Sequence, residues 1–500
     1  MIADIDTFEV SGRFSVLDWC RPALLSGFPS AFLDEGSQMG KWLLALAALL
    51  ATAPAAGADR NSPEGQEALE IYRSIVEIPT VKGRGQAPKM AKYLASKFRQ
   101  TGFASRDVEI LSVGEASGLI VTYRGSGAKA PILFLGHMDV VEARREDWER
   151  DPFTFIEEKG YFFGRGTSDN KFGIAQLTAA FIQLKRQGFK PNRDLIIAFS
   201  GDEETDMATT QAMVRRLAAR RPEFAVNSDS GGGRADAAGK GLSFGVQVAE
   251  KTFANFEATV RNPGGHSARP RADNAIYELA DLLRNVRSYR FPVVVNDLTR
   301  SIVRDAARQP GAQPGLEGSL AALAANPDDQ QAEALLASDP RLVYSLRTTC
   351  VATLLKGGHA ENALPQNATA NINCRIFPGV PVDLVRQKLA EVGGNPNAEW
   401  KVVGSPTASD PSPENKELFS ALARAVEERY PGIPVIPYMT PGATDGKHFR
   451  AASIPTYGAN LAFERTGEET FAHGLNERVQ VESFFESLDY WPRLMRLLAS

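Results

Sequence analysis

Three apolar runs in this chain each break off into an acidic or histidine-bearing island. Residues 131–135 lead into Gly136-His-Met-Asp139, residues 195–199 into Gly201-Asp-Glu-Glu204, and residues 224–226 into Asn227-Ser-Asp229. In α/β folds the carboxyl ends of sheet strands are where ligand-binding groups collect, so the pattern predicts these islands at one sheet edge. With Gly164-Arg-Gly-Thr-Ser-Asp169 and Ala472-His473 they hold a full ligand set for two adjacent divalent metals, which points to hydrolysis.

The rest of the chain agrees with such a sheet. From about residue 63 to 229, strand-like runs alternate with helical stretches at 65–76, 87–101 and 172–187, the rhythm of a sheet flanked by helices. After the Gly-rich stretch 231–241 the texture changes, with strands at 242–248 and 255–261 and an amphipathic helix at 274–287. Residues 292–345 read as a helical insertion, strands return at 347–355 and 368–377, and the core resumes near 405 with helices at 414–430 and 483–498. The expected domains are therefore 59–245 with 405–500 as one core, and 246–404 as a smaller inserted α+β domain. Five hundred residues also exceed the ~250–300 at which single cores stop growing.

A net charge of −4 gives no basic field to attract polyanions, so a small-molecule substrate is expected and nucleic acid is not. Residues 39–58 have the parts of a secretory signal: Lys41, an apolar run over 42–50, and small residues ending in Ala56-Gly-Ala58. Cleavage after Ala58, a translation start at Met39 and an exported, periplasmic or secreted product follow as expectations. The apolar run falls short of the ~20 residues of a bilayer-spanning helix, so no stable membrane anchor is expected. Beyond residue 58 two cysteines remain, Cys350 and Cys374; they can pair in an oxidising compartment or stay as buried thiols in neighbouring strands.

Individually the island residues have ordinary readings: a surface hydrogen bond for His137 and Asp139, a helix cap for Asp169. Together they suit a metal pair. His137 and Asp139, two apart in extended chain, leave on one side, as a ligand and the carboxylate that fixes its tautomer would. Asp169, after a Gly-bearing turn, can bridge two ions. Glu203 and Glu204 point apart, which suggests one binds metal and the other faces the attacking water. Asp229 and His473 each add a terminal ligand, leaving an open place for water.

In this order the five islands resemble the co-catalytic di-zinc exopeptidase family that contains aminoacylase, glutamate carboxypeptidase, carnosinase and succinyl-diaminopimelate desuccinylase, over residues 65 to 498. The resemblance implies a mixed-sheet zinc exopeptidase core with an inserted lid or dimerisation domain. It implies that His137 and Asp229 hold one zinc, Glu204 and His473 the other, that Asp169 bridges, and that Glu203 is the general base. Carboxylate and imidazole donors also suit Mn or Co.

Asn262-Pro-Gly-Gly-His266-Ser resembles the lid motif whose His polarises the scissile carbonyl, across a homodimer or by closure. Asn362 and Arg375 correspond to lid residues that hold a substrate carboxylate, and Gly442 and Thr444 to a substrate-binding loop of the core. Arg375 closing an intradomain ion pair is the alternative. The implied reaction is cleavage of an amide beside a free carboxylate, in a peptide or an N-acyl amino acid. The rivals are a dedicated N-acyl-amino-acid deacylase and a metal-stabilised binding protein without catalysis. His359 and His448 have no motif role, and Ser168, Asn170, Asp206 and Ser230 depart from the family's pattern without removing a ligand.

Overall fold

The computed structural model describes residues 60–500 apart from 310, 468 and 469; the expected signal at 39–58 and the stretch before it lie outside the described residues. The strand Ile132–His137 is the organising element. Every residue of it is buried, and it pairs in parallel with Leu195–Ser200 on one side and Phe224–Asn227 on the other. His137 stands opposite Ser200 and Leu135 opposite Asn227, so the islands that follow these strands leave one edge side by side.

Beyond this parallel centre the sheet is mixed. On one side Ala116–Tyr123 and Val108–Val113 add antiparallel; on the other come Thr456–Gly458, Gly241–Glu250, Gly232–Ala235 and Phe463–Arg465, and Val435–Thr440 also pairs with Gly241–Glu250. Helices cover it. Pro63–Val76 starts at Ser62, whose Oγ accepts from Gly65 N at 3.0 Å, and carries proline in its first turn where no N–H is missed. Its buried Tyr72 donates to the carbonyl of Thr167, which ties this helix to the turn before Asp169. Lys171–Arg186 is buried on almost every side because it lies between that helix and the C-terminal helix Val481–Ala499.

A small ribbon outside the large sheet joins distant sequence. Arg478–Gln480 pairs with Tyr161–Phe163, which pairs with Ile156–Glu158. Gly164 N then donates to Glu477 O at 3.1 Å, so the segment that carries His473 is laid along the turn that carries Asp169.

The inserted α+β lid is an antiparallel sheet in the order Thr349–Gly357, Asn367–Ile376, Thr252–Arg261, Glu399–Val403. The helices Ala275–Ser288 and Val382–Gly393 bury Leu279, Leu282, Val286, Val385 and Leu389 against Phe256, Ala370 and Ile372. Gly241–Glu250 runs past residue 245 within the large sheet, and the lid sheet begins at Thr252. The inserted helices Asp297–Arg308, Leu316–Ala325, Gln330–Ala337 and Pro340–Ser345 share a core around Val303, Leu320, Leu336 and Leu342, and the first lies on Val435–Thr440 of the large sheet. They reach back from the lid segment onto the core. The helix expected over 414–430 is shorter, Lys416–Val426, with Asn415 accepting from Leu418 N at 2.9 Å to start it.

Cys350 and Cys374 face each other across adjacent lid strands and form a disulfide. It closes a loop with a sequence separation of 24, which constrains the unfolded chain by about 3 kcal/mol. Replacing both cysteines by alanine should lower unfolding free energy by about that amount in urea titrations. Reductant should destabilise the parent to the same degree and leave the variant unchanged.

Candidate metal centre

Seven side chains from the five islands meet at the carboxyl edge of the parallel strands. His137 is buried at the end of its strand, its Nδ1 3.1 Å from the backbone carbonyl of Asp139 and 3.5 Å from the Asp139 carboxylate. A proton on Nδ1 leaves the Nε2 lone pair facing outward, 2.8 Å from Asp169 Oδ1 and 3.3 Å from Asp229 Oδ1. On the other side of Asp169, His473 Nε2 lies 3.0 Å from its Oδ2 and 2.8 Å from Glu204 Oε1. Two donor groups result, His137 with Asp169 and Asp229, and His473 with Asp169 and Glu204, each with its donor atoms within 4.8 Å of one another. Asp169 is common to both. His137, Glu203 and Glu204 form a third such group.

Backbone amides hold these carboxylates in place through residues behind them. Asp139 Oδ1 accepts from Glu203 N and Oδ2 from Glu204 N, each at 3.0 Å. Its carboxylate therefore clamps the Glu203-Glu204 backbone, a role beyond the tautomer control read from the sequence. Glu477, fully buried, accepts from Gly166 N at 2.9 Å, Ser168 N at 2.7 Å and Asp169 N at 2.9 Å, and pairs with Arg165 at 2.7 Å. Asn170 accepts from His137 N at 3.3 Å and donates to the Ser228 carbonyl at 3.1 Å, joining the ends of two strands. The Asp169–Asn170 peptide is cis. Asp445 accepts from Ser200 Oγ at 2.6 Å and from Thr210 Oγ1.

The sequence assigns no role to Glu477 or Asn170, and places Asp445 only within the loop of Gly442 and Thr444 that resembles a substrate-binding loop. Glu477 could have been flagged by its place four residues after His473; Asn170 carries no signal until the strands are side by side, and the contacts of Asp445 with Ser200 and Thr210 appear only then.

The electrostatics call for cations. Among the described residues, no Lys or Arg pairs with Asp169, Glu203, Glu204 or Asp229. Burial pushes Asp229 up to about 8 and Glu203 well above the usual carboxylate range. Hydrogen bonds to Asp169 and Glu204 lift His473 to about 10. Burial opposes the charge on His137, yet Asp229, Asp139 and Asp169 outweigh it and hold its pKa well above the ordinary value. A set of carboxylates and imidazoles this short of positive charge, buried at His137 and Glu203, partly buried at Asp169, Glu204 and Asp229 and exposed at His473, fits divalent metal ions, and its O and N donors match zinc, manganese or cobalt.

The two adjacent glutamates differ in surroundings. Glu204 faces His473, whereas the Glu203 carboxylate is buried and accepts no hydrogen bond from the described residues.

The lid residues lie apart from this cluster. His266 is exposed in a short ribbon, Gly265–His266 against Ala363–Leu364, with Asn362 O accepting from Ser267 N at 3.0 Å. No hydrogen bond or ion pair of His266 or Asn362 reaches the carboxylates among the described residues. Arg375 has no acidic partner among them either; it donates to the Pro441 carbonyl at 3.1 Å and stacks over Phe253 at 4.8 Å. The lid is thereby tied to the loop that carries Gly442, whose N donates to Thr440 Oγ1 at 3.3 Å. Thr444 is buried, its hydroxyl donating to Glu250 and accepting from Asn227 Nδ2 at 3.1 Å and Gly446 N at 3.0 Å. Its side chain is committed to the core.

The chain is similar to known proteins along most of its length. The chain is 26% identical to the N-fatty-acyl-amino acid synthase/hydrolase PM20D1 of Xenopus tropicalis, covering 87% of this chain and 86% of that one. It is 24% identical to aminoacylase-1 of Homo sapiens, covering 88% and 97%. A metallo-carboxypeptidase structure from Sulfolobus solfataricus has the same fold, with a TM-score of 0.64 at 17% identity over 86% of this chain and 99% of that one. The profile of Peptidase family M20/M25/M40 matches residues 133–497, from the strand that ends at His137 into the last helix, and the chain belongs to that family of metallopeptidases and amidohydrolases.

Proposed function

We propose that the chain hydrolyses an amide bond next to a free carboxylate, in an N-acyl amino acid or a small peptide, with two zinc ions as cofactors. His137, Asp169 and Asp229 would hold one ion, and Asp169, Glu204 and His473 the other. Bound there, the ions supply Lewis acidity toward the amide carbonyl and a water made acidic enough to react at neutral pH.

The observation that carries this reading is the contrast between the two glutamates. Glu204 is engaged with His473, while Glu203 is buried beside the cluster with its carboxylate free, and burial favours its protonated form. A carboxylate of raised pKa suits a proton shuttle: Glu203 Oε takes the proton of the attacking water and passes it to the leaving nitrogen. Asp139, through the Glu203 amide, sets where that carboxylate stands. Arg375, a guanidinium without an acidic partner at the lid-to-core contact, is suited to the substrate carboxylate by its two parallel donors. The names of the relatives favour N-acyl amino acids over peptides.

Two further readings have support. The lid edge strand Thr349–Gly357 exposes Val351, Leu354 and Leu355, and the helix beside it exposes Ile276 and Tyr277. Such an edge attracts a second strand, which favours a homodimer in which His266 reaches the partner's site. Export is supported by the Cys350–Cys374 disulfide; no helix among the described residues is long and apolar enough to cross a membrane.

Replacing Glu203 by Gln should lower kcat by about 10²–10⁴-fold with metal content unchanged. Activity equal to the parent would remove Glu203 as the base, and a parent inactive with zinc on every such amide would remove the function. Arg375→Ala should raise KM for carboxylate-bearing substrates far more than it lowers kcat.

Metal uptake should release protons. The folded pKa of His473 is raised above its unfolded value, so its proton stabilises the metal-free protein fully below about 6.5, and that contribution is lost as pH rises through about 10. Because metal competes with this proton, apparent affinity should increase across that window, and calorimetry in buffers of different ionisation heat should report protons leaving at pH 7–8.

A further inference from the structure

A cavity of about 310 Å³ lies between the large sheet and the inserted helices, a volume at the lower end for small-molecule sites. Its floor is the sheet face bearing Gly232, Ser243, Gly245, Ile436 and Ala462; its roof is Ile302 and Ala306 of Asp297–Arg308 and Leu342 of Pro340–Ser345. Small residues keep the floor low. A side chain on Gly245 would stand 3.3 Å from the Tyr438 ring and fill the space.

One end of the cavity lies beside the segment that carries Asp229. Gly231 lines it, two residues after Asp229, and Asn460, which also lines it, donates its N–H to Ser230 O at 2.7 Å. The polar groups along its walls are mostly matched within the protein: Tyr438 Oη accepts from Gly231 N at 2.8 Å, and Arg234 pairs with Asp305. A ligand there is asked for little hydrogen bonding, and the gain comes from covering Ile302, Ala306, Leu342, Ile436 and Met439. Glu464, at the lining too, is exposed to solvent.

We infer that this cavity is the subsite for an aliphatic acyl chain, entered from the Asp229 end and roofed by the inserted helices. The inference rests on the amidohydrolase reading and deepens it: the substrate is an N-acyl amino acid whose acyl half is a medium-length hydrocarbon. The carboxylate-bearing half is left to Arg375 on the lid, so the two halves of the substrate are read by different parts of the chain.

The test compares zinc-loaded parent, Ala306→Phe and Ile302→Trp on N-acetyl-, N-hexanoyl- and N-decanoyl-phenylalanine. In the parent, kcat/KM should rise with chain length by up to about fourfold per methylene until the cavity is full. Both variants should lose at least about tenfold on the decanoyl substrate and keep the parent's rate on the acetyl one. Preference between N-acetyl-leucine and N-acetyl-glycine should not change; a change there in place of the acyl effect would reassign the cavity to an amino-acid side chain. A parent indifferent to acyl length, or variants that slow all substrates equally, would overturn the inference.

If no amide is turned over, the function reading fails by itself. Equilibrium binding of decanoic acid to the metal-free proteins then decides the cavity. Binding to the parent that is lost in a variant with the parent's thermal unfolding supports the subsite; absent or undiminished binding refutes it.

Discussion

Four carboxylates gathered at one sheet edge, Glu203 buried and Asp169, Glu204 and Asp229 partly so, repel one another, and the molecule holds three of them by aiming backbone N–H groups at two further carboxylates behind them. Asp139 takes the amides of Glu203 and Glu204, and Glu477 takes those of Gly166, Ser168 and Asp169. These are charge-assisted bonds in surroundings where water screens little. They fix the positions of the facing groups without using those groups' own oxygens, which stay available to cations.

The supporting residues extend the same logic outward. Asn170 bridges two strand ends, Asp445 receives Ser200 and Thr210, and Asp202 accepts from Ala208 N at 2.7 Å and Thr209 N at 3.0 Å to start the helix Ala208–Ala218. Asp206, which departs from the family's pattern, pairs with Lys82 at 2.7 Å on the surface. Adjacent acids in one short loop thus differ in surroundings: Asp202 caps a helix, Glu203 is buried, Glu204 meets His473 and Asp206 pairs at the surface.

Much of this could be read from the sequence because local pattern and global position coincide there. The fully apolar runs before His137, Glu203 and Asp229 are strands because they are buried at the centre of a sheet, and parallel neighbours deliver their ends to one edge. The helices at 65–76, 87–101 and 172–187 are legible to within a residue or two from their apolar periodicity, the first two also opening on a proline in the first turn. What sequence could not supply was contact made by turns and short pairings. The ribbon that lays Arg478–Gln480 on Tyr161–Phe163 has no periodicity to read, yet it brings His473 to Asp169. The inserted helices showed as helices, but their packing on Val435–Thr440 depends on which sheet their apolar faces find. Thr444 looked like a substrate contact in its loop, and only the arrival of Glu250 and Asn227 explains its burial.

The late position of that ribbon governs the order of assembly. A polypeptide emerging from its amino end carries Asp169, Glu203, Glu204, Asp229 and one imidazole of the cluster through most of its synthesis, with no Glu477 to orient the turn at Asp169 and no second imidazole. The cluster of His473 with Asp169 and Glu204 can exist only once the last thirty or so residues have docked, so the second group of donors is the last part of the site to form.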